Sequence, residues 1–208
     1  MPKQVELVLF IVCAVAATLF FLFLFLHNPI RRFYYKHHTI RAYYRKVYKV
    51  AQERDLLLVN KFANRTADFE EFHIDHILFG TKYFYCIRDR YYAGAVAAKE
   101  EDDSWIYFHS KKNEYIKNPM TLNKLRLQRL SLMSGIEEKF FISIVLINDD
   151  CLITPIEGDL EHGDSFLSSL RDFPKLIDQL ESRNVDPLDE RSVAVAARDF
   201  AELKEKDG

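Results

Sequence analysis

Cysteine is scarce and unpatterned. There are three, Cys13, Cys86 and Cys151, with no C-x-x-C pair and no Cys/His spacing suited to zinc. A zinc module and a disulfide framework are therefore excluded, and the usage agrees with a reducing compartment. All three thiols read as small apolar residues. Also missing are a Gly-rich phosphate loop, a G-x-S-x-G elbow and an H-E-x-x-H pair, so the nucleotide, hydrolase and metalloprotease classes that need them have no signature here. No repeat or low-complexity linker divides the chain. Acid is absent from residues 27–50, although the chain as a whole carries 31 acidic against 29 basic residues.

What is present begins with an apolar run. Residues 5–26, VELVLFIVCAVAATLFFLFLFL, are interrupted only by Glu6 and Thr18. At about 1.5 Å per residue such a helix reaches roughly 30 Å, the thickness of a bilayer core. A cleaved signal peptide would have a shorter apolar region and a small-residue cleavage site; here HNPIRR follows. The run predicts a single transmembrane helix. Before it lies Lys3; after it come Arg31, Arg32, Lys36, Arg41, Arg45, Lys46 and Lys49. Basic flanks stay on the cytoplasmic side, which predicts a cell-membrane protein with its amino terminus outside and its domain cytoplasmic.

Residues 27–50 interleave tyrosines and Phe33 with basic side chains, a pattern suited to anionic lipid headgroups at the bilayer surface. Ile40, Tyr44, Val47 and Ala51 fall at helical spacing with Thr39 as a cap, and Pro29 is expected to break the anchor helix from this second one. Eight of the basic residues and one acid lie within residues 1–50. Residues 51–208 therefore hold 21 basic and 30 acidic residues, a net charge of −9. Such a domain repels nucleic acid overall, so any nucleic-acid site must be a local basic patch.

Beyond residue 55 the pattern predicts strands at 56–59, 73–80, 82–89, 105–110, 141–148 and 151–156, and helices at 120–133, 173–181 and 189–203. Residues 73–80 and 82–89 read as a hairpin around Gly80-Thr81. The 120–133 helix is expected to pack through Leu122, Leu125, Leu132 and Met133, widened by Leu127 and Leu130. The run FISIVLIN at 141–148 is expected to be covered on both faces. The class is α/β, one N-terminal transmembrane helix followed by a small mixed sheet with flanking helices, residues 51–208 forming one domain.

The motifs IDHILFG (74–80), YFYCIRDRYYAG (83–94), Trp105 and NPMTLN (118–123) occur in an order and spacing that resembles the nuclease-related domain (NERD) family, over about residues 56–200. The resemblance implies a restriction-endonuclease-like fold of the PD-(D/E)xK kind and a bacterial-type protein. In that family an Asp on one strand and an E-x-K on the next place two carboxylates and an ammonium on one face, for a divalent cation that activates water at a phosphate. Carried over, the first acid is Asp75. The E and K positions fall on Arg88 and Arg90, and the family's helix glutamine falls on Leu122. The family's upstream G-E motif has no counterpart.

Arg88 puts a permanent cation where a metal ligand should stand. The expectation is a degenerate site, with Arg88 neutralising Asp75, no cofactor, and a function in binding a protein partner or a phosphate-bearing ligand. Mg2+ or Mn2+ belongs only to the alternative, an active nuclease on DNA or RNA; a structural membrane protein is the third reading. Asp89 could replace the lost acid if a bulge turned it. Arg88, Arg90, Lys111, Lys112 and Lys124, with Lys117, Arg126 and Arg129 nearby in sequence, are the candidate phosphate or nucleic-acid patch. His73 and His76 stand three apart on a strand and so face opposite sides, which argues against a shared metal.

Overall fold

The computed structural model describes residues 3–64, 72–109, 112–154, 156 and 158–206. Within its helices and strands, side chains are described except at 3–9, 27–29, 31–32, 34–40, 64 and 204–206. It divides into two compact units, Met1–Thr39 and Ile40–Gly208. Helix α1 is assigned from Lys3 to Glu53. Pro29 therefore does not end it and no new helix starts at Thr39. An interior proline removes one hydrogen bond and crowds the preceding turn, which can bend a long helix without ending it.

In the first unit every side chain at 10–26 is exposed, and the Thr18 hydroxyl bonds back to the Ala14 carbonyl at 2.8 Å. Among the described residues no helix is long and apolar enough to cross a membrane. The anchor expected at residues 5–26 extends into residues whose side chains are not described.

The second unit begins with the last turns of α1. Tyr43, Val47, Val50 and Ala51 are buried there, while Tyr44 is 40 % exposed and stacks on Tyr48. Val47 and Ala51 are thus buried as expected, Tyr43 takes the place expected of Tyr44, and the Ile40 side chain lies outside those described. Tyr43 can be wholly buried because its hydroxyl donates 2.6 Å to the Arg90 carbonyl.

The strands are β1 (Leu57–Asn64), β2 (Phe72–Phe79), β3 (Phe84–Arg90), β4 (Ala95–Ala97), β5 (Ser104–His109), β6 (Lys112–Lys117), β7 (Phe141–Ile147), β8 (Leu152–Ile153) and β9 (Ser165–Ser169). They form a five-stranded sheet, β1-β2-β3-β7-β9, and a four-stranded sheet, β6-β5-β4-β8. In the first, β1-β2 and β2-β3 are antiparallel; β3-β7 and β7-β9 are parallel. The β2-β3 hairpin is the expected one. Gly80 closes it with its N–H on the Tyr83 carbonyl, and a side chain there would run into the Glu181 carboxylate. Strand β7 is buried at all seven positions, as its unbroken apolar run requires. Strand β8 keeps two of the six residues expected at 151–156, and β4, β6 and β9 were not expected.

Helix α2 (Pro119–Ser134) starts where Asn118 accepts from the Met120 and Thr121 N–H groups, with Pro119 in the first turn, and stops at Gly135, φ +70°. Its buried face is Met120, Asn123, Leu127 and Leu130, whereas Leu125 and Leu132 are 50 % and 75 % exposed. Of the expected stripe, Leu127 and Leu130 are buried, Leu122 and Met133 are half-buried, and Leu125 and Leu132 fall outside because the seam turns on a polar residue. The Asn123 amide donates to the Cys86 carbonyl and the Ser143 hydroxyl, both at 2.9 Å. Helix α3 is Phe173–Glu181 and α4 is Glu190–Lys206. One core gathers Phe62, Phe79, Phe84, Leu130, Phe141 and Phe200; a second surrounds Trp105, Met120 and Val145 beside the smaller sheet.

Candidate functional site

The hairpin brings Asp75 on β2 opposite Arg88 on β3. One Asp75 oxygen accepts from the Arg88 guanidinium at 3.0 Å; the other accepts from the Asp89 backbone N–H at 2.9 Å. Arg90, two residues on, donates to the Asp89 carbonyl at 3.3 Å. Asp89 turns away to His76, 3.0 Å from its Nε2, while His76 Nδ1 lies 2.5 Å from the Asn60 side-chain oxygen. Burial raises the Asp89 carboxyl above the usual carboxylate range, although His76 pulls the other way. No bulge brings Asp89 beside Asp75, so the substitute acid is not on the Asp75 face. His76 is buried and its two nitrogens serve Asn60 and Asp89; His73 is exposed.

From α2, Arg126 approaches the same pair. It is half-buried, and burial together with Arg88 and Arg90 pushes its guanidinium down to about 10. Arg90 is lowered in the same way, by burial first and by Arg88 second. Arg88 Nε and Arg126 Nη1 are buried without a hydrogen-bond partner, as are the acceptors Asp89 Oδ1 and Asn123 Oδ1. Neither Arg90 nor Arg126 has a carboxylate partner among the described residues. Leu122 is half-buried on α2, one turn before Arg126.

The rest of the expected basic patch does not join this cluster. Lys124 is held by Asp164 at 2.8 Å. Lys112 and Lys117 are exposed on β6, the outer strand of the other sheet, and Lys111 lies outside the described residues. The patch therefore contracts to Arg88, Arg90 and Arg126, with Arg129 near enough to repel Arg126. Reading the sequence alone gave Arg126 no special weight. Its signal was the i, i+4, i+7 row Leu122, Arg126, Arg129, which places two cations one and two turns past the family's glutamine position. The His76–Asn60 contact was also missed, although the two residues pair across β1 and β2.

The divalent cation that the family resemblance implies does not fit these residues. Asp75 has both oxygens engaged, one by the Arg88 guanidinium at the position the resemblance gives the second acid, and among the described residues no three His, Cys, Asp or Glu side chains are grouped to hold a metal. The thiols add no chemistry there. Cys86 is fully buried with its pKa raised by burial, and Cys151 is pushed up to about 11 for the same reason.

The fold is a mixed α/β domain with two small sheets and flanking helices, and its site is a carboxylate–guanidinium pair at the end of a hairpin. The chain belongs to the nuclease-related domain (NERD) family, whose family model matches residues 45–148, half of the chain, from the end of α1 to just past β7. A search of curated proteins gave no match, and neither did a search of solved structures.

Proposed function

We propose that this NERD protein is a membrane-anchored binding protein whose nuclease site no longer cleaves and instead holds a phosphate-bearing ligand. The observation that carries the reading is the 3.0 Å contact between Arg88 and Asp75. Metal-assisted hydrolysis needs an anionic pocket for the cation and its activated water. Here the pocket's charge is reversed, with three guanidinium groups around one neutralised carboxylate. That arrangement recognises an oxyanion and has no group to activate water against it. The larger sheet is read as the restriction-endonuclease-like core.

The anchor is supported by the apolar run and by the exposure of its side chains at 10–26, which gives water no reason to tolerate them. Arg41, Tyr44, Arg45, Tyr48 and Lys49 stand exposed along one side of α1, a basic aromatic stripe suited to anionic headgroups. A reporter fused after Gly208 should be active in the cytoplasm only, and a peptide of residues 27–50 should bind anionic vesicles and be released by salt.

Full-length protein in detergent should show no Mg2+- or Mn2+-dependent cleavage of DNA or RNA. Arg88→Glu with Arg90→Lys and Leu122→Gln should recover metal binding. The family favours a second reading, a metal-dependent nuclease at the inner membrane face. Cleavage by the unmodified protein that disappears in Asp75→Ala would establish that reading and remove ours.

A further inference from the structure

We infer that the arginine cluster takes a phosphate monoester by its terminal, dianionic phosphate, in preference to an internal phosphodiester; the inference rests on the phosphate-binding reading above. The argument is a balance of charge and donors. Asp75 is spent on Arg88 and on the Asp89 N–H, and the Asp89 side chain is spent on His76. Arg90 and Arg126 remain, both half-buried and neither with a carboxylate among the described residues. Two guanidinium groups with no contacting carboxylate, in a partly desolvated place beside a third, favour a doubly charged anion over a singly charged one. A monoester carries about −1.5 to −2 at neutral pH and a diester about −1.

Donor count points the same way. Arg88 Nε and Arg126 Nη1 are buried N–H groups with no acceptor, on two different elements, β3 and α2. A terminal phosphate offers three acceptor oxygens to such a divided set, whereas a diester has two unbridged oxygens and a chain leaving on both sides. Burial first, and the neighbouring guanidinium groups second, lower the basicity of Arg90 and Arg126, and an anion seated among them would oppose both effects. Two sources share the chemistry: a free monophosphate, or the 5′-phosphorylated end of a nucleic-acid strand.

The test uses full-length protein in detergent and one fluorescent oligonucleotide made with a 5′-phosphate or a 5′-hydroxyl, competed by adenosine 5′-monophosphate and by inorganic phosphate. The phosphorylated form should bind about tenfold more tightly or better, as charge-assisted hydrogen bonds warrant. Arg126→Gln should abolish that preference and Arg126→Lys should keep most of it, with folding of each checked by its melting curve. Competition by either small phosphate assigns the site to free monophosphates, while resistance to both assigns it to strand ends; each result upholds the inference. Equal binding of the two oligonucleotides, lost in Arg88→Ala, would overturn the monoester preference and leave phosphate binding standing. No binding of any probe, or binding indifferent to Arg88→Ala, would overturn both.

Discussion

Arg183 and Arg126 are both drawn away from water, to different degrees and in different company. Arg183, 9 % exposed, has Nε on the Leu160 carbonyl at 2.8 Å, and Nη2 on the carbonyls of Gly163 at 2.7 Å and Asp159 at 3.3 Å. Its cation also lies 5.4 and 5.5 Å from the ring centres of Tyr83 and Phe166. It closes the loop between β8 and β9 onto the end of α3. Arg126 sits among like charges with Nη1 unpartnered. Nε and Nη2 of Arg183 tie the fold together, whereas Arg126 Nη1 meets no acceptor among the described residues and its guanidinium is repelled by its neighbours. Burial alone does not separate these cases, and the partner atoms do.

The largest effect should come from the satisfied arginine. Arg183→Ala orphans the Leu160 and Gly163 carbonyls, while that of Asp159 keeps the Gly163 N–H, and should cost about 3 kcal/mol in urea unfolding. Lysine should recover little, since one ammonium cannot span the three oxygens. A cost below about 1 kcal/mol would end the contrast. Next, Asp75→Ala leaves three guanidinium groups without their carboxylate and should lower stability by about 2 kcal/mol, a loss that shrinks as salt is added. Arg126→Leu should act in the opposite sense. Without ligand it should raise the melting temperature by an amount worth up to about 1 kcal/mol, solvent already screening part of the repulsion at a half-exposed group.

The smallest effect belongs to Asp89→Asn, which removes a buried charge while keeping an acceptor for His76. Because the folded pKa is raised, the unfolded chain gives up this proton first. The destabilising contribution is absent below the ordinary aspartate value of about 4 and grows as pH rises through the folded value. The variant should therefore be more stable than the parent by about 0.5–1 kcal/mol at pH 7, with the gap closing toward pH 4. A gap that widened on acidification would show that Asp89 contributes stability as an anion.

Much of the architecture could be read from residues in order. Gly80 between two alternating runs marks the hairpin, the unbroken FISIVLI marks β7, and α3 falls at the expected residues. What escaped lacks a signature of its own. Strand β9, SFLSS, is short and serine-rich and depends on β7 beside it; β6, KNEYIK, is an edge strand with five exposed side chains. The Asp75–Arg88 contact was legible because strand alternation and one tight turn fix which side chains meet. The place of Arg126 was not, because α2 is oriented by Asn123 reaching backbone and serine atoms of β3 and β7. Arg183 was hidden for the same reason: its partners are carbonyl oxygens, which every residue has.

The Arg183 clasp also bears on how the chain is cut. Trypsin must draw an arginine side chain into its own binding slot, and this one is enclosed by carbonyls and rings although the residues just after it, Asn184, Val185 and Asp186, are exposed. The 183–184 bond should therefore resist digestion in the folded protein while offering an accessible backbone downstream. Cleavage there would time the opening of the loop between β8 and β9, giving a clock for local unfolding that needs no label.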